Sequence, residues 1–136
     1  AYPVTPPRLP KWPVRIFATY ALCIFILTHW PNLKINAPIH RPDLLAHLAV
    51  FSLWMILACC CRFHGPILSA RNIFWSFILT IAYAGLDEGA QYPDFVQRTA
   101  AWDDYWFDVL GVVLGTLAMT AAAILQAIRL KFNRQR

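Results

Sequence analysis

Charge is what this chain lacks. Only 14% of its 136 residues are Asp, Glu, Lys or Arg, where a soluble domain carries about 25%. Carboxylates are scarcest, with seven Asp and Glu in all. A water-soluble core of this size cannot hide an apolar fraction of 59%, so an ordinary soluble domain is excluded. The four cysteines, Cys23, Cys59, Cys60 and Cys61, show no Cys-x-x-Cys spacing and no clustered His, which excludes a zinc site or a disulfide framework and leaves them as small buried hydrophobes. There is no run of alternating residues for a strand, no internal repeat, and no signal peptide with a small-residue cleavage site. Ala1 reads as the residue after a removed initiator Met. The net charge of +5 does not indicate nucleic acid, because the basic residues sit between apolar runs and at the termini rather than on one face.

What is present is apolar sequence in four long runs. The expected architecture is all-α, a four-helix transmembrane bundle in one domain over 14–128, with helices at about 14–30, 43–61, 72–92 and 104–128. Seventeen residues of helix span about 25 Å, just enough for the hydrocarbon layer. Residues 1–13 form a Pro-rich tail holding half of the ten prolines, a composition that disfavours helix. Residues 129–136 form a basic tail. Counting Lys and Arg, nine flank the termini and the second loop and three lie in the first and third loops. The positive-inside bias therefore puts both termini in the cytoplasm, and the protein in the bacterial plasma membrane as a multi-pass species.

That orientation sends every carboxylate to the outer end. His47 lies fifteen residues from Arg62 and Asp87 sixteen from Arg71. At about 1.5 Å per residue both sit roughly 22–24 Å from the cytoplasmic edge, within the hydrocarbon layer. Ionisable groups at that depth face the bundle interior and find partners. The pairs Asp43 and His47, Asp87 and Gln91, and Asp104 and Asp108 are each spaced i,i+4, so each helix carries a polar stripe at its outer end. Glu88 lies beside Asp87, and Arg98 in the third loop is the natural counter-ion. Below Asp108, Gly111 and Gly115 form a Gly-x-x-x-Gly element that admits a neighbouring helix closely.

These three blocks resemble the VanZ-like family of small bacterial membrane proteins. The match covers about residues 43–115: Asp43-Leu-Leu-Ala-His47, then Asp87-Glu88-Gly-Ala-Gln91, then Arg98 followed by Asp104, Asp108, Gly111 and Gly115. Three positions depart from the pattern. Leu44 stands where Lys is common, Phe51 where Tyr is common, and Asp108 where Asn is common. The resemblance implies a cell-envelope protein with an outer-facing polar pocket rather than a particular reaction. The alternative is a non-catalytic accessory subunit of a larger membrane complex of the respiratory or photosynthetic type, engaged through the Pro-rich tail and the aromatic helix faces. A third reading is an enzyme acting on a lipid or envelope head group, with His47 as base and Asp87 or Glu88 orienting it. The absence of a Ser or Cys nucleophile at the depth of His47 argues against it. No cofactor or metal is expected beyond bound lipids. Haem or pigment ligation by His47 is disfavoured by the neighbouring acids, which suit a hydrogen-bonded cluster better.

Overall fold

A computed structural model describes residues 11–30, 41–90 and 102–136. Their regular structure is helical, with no strand among them. They form α1 (Trp12–Thr28), α2 (Pro42–Cys60), α3 (Ala70–Ala90) and α4 (Trp102–Arg134). Each helix begins one or two residues earlier than expected, and two of these shifts involve proline. Pro13 and Pro42 lie in the first turns of α1 and α2, where the missing N–H has no intrahelical partner to lose. Trp12 and Pro13 thus belong to α1 rather than to the Pro-rich tail. α4 continues past Ile128 to Arg134, so most of the basic C-terminal segment is helical. Its 33 residues rise about 50 Å.

Successive helices alternate in direction. Cys61 Sγ reaches the Pro13 carbonyl at 3.7 Å, and the Tyr20 hydroxyl donates to the Val50 carbonyl at 2.8 Å, so α1 and α2 are antiparallel. α2 and α4 run parallel and make the most extensive helix contact. The glycines permit this. A Cβ on Gly111 would overlap the Leu48 carbonyl oxygen, and one on Gly115 would sit 2.7 Å from the Ser52 carbonyl oxygen. Ser52 Oγ shares its proton between the carbonyls of Leu48 (2.8 Å) and Gly111 (2.9 Å), which ties the two backbones together.

Polar and apolar surfaces are inverted relative to a soluble bundle. Buried polar side chains run down α3 at helical spacing, as Asn72, Ser76, Thr80 and then Asp87. The outer surface carries Phe74, Trp75, Ile78 and Leu79 of α3 and Leu110, Leu114 and Leu117 of α4. Asn72 is fully buried because it serves the α2–α3 turn. Its Nδ2 donates to the carbonyls of Cys59 (2.8 Å) and Ile67 (3.2 Å), and its Oδ1 accepts from the His64 amide (3.2 Å). α2 and α4 are long and apolar enough to cross a membrane, and α1 is apolar but shorter. All four cysteines are free thiols; Cys59 and Cys61 are buried, whereas Cys23 is exposed, contrary to the expectation that all four are buried.

Charge is segregated by end. Every described carboxylate lies where α1 and α3 end and α2 and α4 begin. Of the described Lys and Arg, only Arg41 shares that end. Among the described residues, two other than glycine adopt positive φ, Arg41 (55°) and Arg62 (59°), a conformation that costs an L-residue roughly 1–2 kcal/mol.

Candidate functional site: an acid–histidine cluster

The acidic end is built from the helix termini inward. At its rim Arg41 precedes α2. Its guanidinium lies 2.7 Å from Asp103, 3.2 Å from Asp43 and 3.8 Å from Asp104. It thus clamps the first turn of α2 to the first turn of α4, where acids also favour the helix dipole. The hydrogen bonds to Asp103 and Asp43 hold Arg41 above its ordinary pKa, so the clamp is cationic at any working pH. Asp43 lies on this half-exposed rim, one turn before His47 on α2. The counter-ion expected in Arg98 is supplied among the described residues by Arg41; Arg98, Gln91 and Asp94 lie outside them.

Beneath the rim, His47 of α2 faces two acids of α4. Its Nδ1 is 2.8 Å from Asp108 Oδ1 and its Nε2 is 3.8 Å from Asp104 Oδ2. Asp108 is the carboxylate that orients the ring, not Asp87 or Glu88. This hydrogen bond fixes the ring with Nδ1 on Asp108 and Nε2 turned to Asp104. The Asp108 side chain is 1% exposed. Its Oδ2, and Oδ1 of Asp104, have no hydrogen-bond partner among the described residues. Glu88 is buried on α3 within electrostatic reach of His47.

Asp87 anchors the side next to α1. Its Oδ1 accepts from Thr28 Oγ1 at 3.0 Å and from the Tyr83 hydroxyl at 3.3 Å, with His29 Nδ1 at 3.9 Å. The Tyr83 ring stacks on Trp54, with centroids 4.0 Å apart and planes 18° apart. Trp54 meets Phe17 edge-on at 5.1 Å. Fully buried Phe51 lies 6.2 Å from both Trp54 and Tyr83. Through the Tyr83 hydroxyl this ring stack adjoins the cluster at Asp87.

Sequence reasoning brought together His47, Asp87, Glu88, Asp104 and Asp108, and these residues do converge at one end. It missed Thr28, His29, Arg41 and Tyr83. Tyr83 carried a signal, since it stands i−4 to Asp87. Thr28 and His29 carried none, because their approach depends on how α1 and α3 lie side by side. Chemically, the arrangement holds a histidine between carboxylates, with acid oxygens to spare. No three His, Cys, Asp or Glu side chains among the described residues are grouped to hold a metal ion. Compared with family models, with curated proteins and with solved structures, the chain gives no match.

Proposed function

We propose that this chain is a four-span integral protein of the bacterial plasma membrane, VanZ-like in kind, with both termini in the cytoplasm. Its outer-facing acidic cluster receives a polar, positively charged group such as the primary amine of a lipid head group. The membrane assignment is supported by the inverted surface, polar along the inside of α3 and apolar outside. The orientation is supported by the segregation of basic and acidic residues to opposite ends.

One observation carries the binding reading: Asp108 is buried to 1% exposure with one oxygen unengaged by the described residues. A buried carboxylate oxygen is stabilised by a donor, and a cationic donor satisfies charge and hydrogen bond together. The test is native mass spectrometry of the detergent-solubilised chain with phosphatidylethanolamine. Wild type should retain this lipid, and Asp108→Asn, which removes the charge at nearly constant shape, should retain it less. Equal retention by two equally stable samples would discard the reading.

A second reading, the accessory subunit, is favoured by α1. Only Ile24 of this helix is buried, while Leu22, Phe25, Ile26 and Leu27 are exposed. A partner of fixed stoichiometry recovered from native membranes, and lost when Phe25 and Leu22 become alanine, supports it.

A further inference from the structure

The basic end holds an arginine that no acid among the described residues answers. Arg62 follows α2 in the left-handed region and is half-buried. Its Nε is buried without a hydrogen-bond partner among the described residues. Arg41, the other left-handed arginine, has three carboxylates around it. Every described carboxylate lies at that opposite end. No described carboxylate neutralises Arg62, so its charge is open to an anion from outside the described residues.

Two cavities meet beside it. One, of about 570 Å³, is lined by Arg62, Ser69 and Gln126, with Leu68 at its wall. The other, of about 580 Å³, shares Leu68 and runs between α3 and α4. On α3 it is lined by Ile73, Phe74 and Phe77. On α4 the small side chains of Thr116, Ala123 and Ala127 leave the space open. From Thr116 to Ala127 the helix rises eleven residues, about 16 Å. Half of a hydrocarbon layer of about 30 Å is about 15 Å. The apolar groove therefore matches the depth of one leaflet, and it shares Leu68 with the cavity lined by the half-buried Arg62.

We infer that this composite groove binds one anionic phospholipid of the cytoplasmic leaflet, with an acyl chain between α3 and α4 and the phosphate at Arg62. The occupant is identified by complementarity at both ends. An apolar helix cannot satisfy Arg62, and a soluble anion leaves the groove empty. Exposed Arg71 and Arg129 stand near the mouth and add to the attraction for negative charge. The inference rests on the membrane reading given above, but concerns the opposite leaflet and a ligand of opposite charge.

The experiment is a lipid titration of the full chain in detergent, read by native mass spectrometry. Phosphatidylglycerol and phosphatidylcholine with identical acyl chains are compared. Wild type should prefer phosphatidylglycerol about fivefold, the effect of about one cation beside a head group of net negative charge. Arg62→Gln should abolish the preference by weakening phosphatidylglycerol more than phosphatidylcholine, whose phosphate is offset by its own choline. Arg62→Lys should keep it, which separates loss of charge from loss of fold. Ala123→Trp should fill the groove and weaken both lipids. Equal affinities in wild type, or an unchanged preference in Arg62→Gln, overturn the inference. Carbonate extraction of membranes carrying the chain is run in parallel. Release by carbonate overturns the membrane reading itself, whereas retention without lipid preference overturns the lipid site alone.

Discussion

Asp108 Oδ1 lies 2.8 Å from His47 Nδ1 across the closest helix contact of the bundle. Gly111, three residues further along α4, makes that distance attainable, because no Cβ fits between it and the Leu48 carbonyl oxygen. The polar pair and the small-residue packing are thus one feature.

Gly111→Ala should therefore act on both. The obstacle is backbone, so α2 and α4 must separate, at an expected cost of about 1–3 kcal/mol. Thermal melting in detergent measures this. Gly89→Ala is the control, since nothing among the described residues lies within 4 Å of a Cβ there and alanine is the better helix former by about 1 kcal/mol. Equal melting of Gly111→Ala and wild type contradicts the packing described.

His47 and Asp108 should be strongly coupled. His47→Ala leaves Asp108 buried without its partner, which typically costs about 3–5 kcal/mol. The double variant His47→Leu with Asp108→Leu should recover much of that loss, because two apolar groups replace a pair rather than orphan one member. A double-mutant cycle reads the coupling; additive effects rule it out.

Tyr83→Phe should be mild and specific. It removes the hydrogen bond to Asp87 and keeps the stack on Trp54. The expected loss is about 1 kcal/mol, with tryptophan fluorescence unchanged. Tyr83→Ala should perturb that fluorescence and lose about 0.5–1.5 kcal/mol more from the ring contact. A fluorescence change in Tyr83→Phe as large as in Tyr83→Ala is incompatible with a hydroxyl that acts only on Asp87.

Topology is open to direct labelling. In a background without the four native cysteines, Asp103→Cys should react with a membrane-impermeant thiol reagent on intact cells, and Arg136→Cys only after permeabilisation. The reverse pattern rejects cytoplasmic termini, and with them the outer position of the cluster.

Much of this was legible in the chain. Long apolar runs separated by charged breaks dictate helices, because an apolar run must close its own backbone hydrogen bonds. Alternating helix direction then sends the first and third connections to one end. Residues 43–47, 87–88 and 104–108 all flank those connections, so their convergence followed from chain order. The polar line of Asn72, Ser76 and Thr80 on α3 was also present as i,i+4 spacing.

Partner choice was not legible, because it depends on the rotation of each helix about its own axis. One residue of helix turns a side chain by about 100°, so a small rotation selects a different neighbour. Packing of Gly111 and Gly115 against Leu48, Ser52 and Met55 sets that rotation for α4 and delivers Asp108, rather than Asp87 or Glu88, to His47. Three-dimensional placement likewise brings Arg41 to Asp103, a residue 62 positions away, and Thr28 to Asp87, 59 positions away. The groove between α3 and α4 has the same origin. Its small side chains on α4 are ordinary in sequence, and only where that face meets Ile73 and Phe77 does their size leave an open space beside the cavity lined by Arg62.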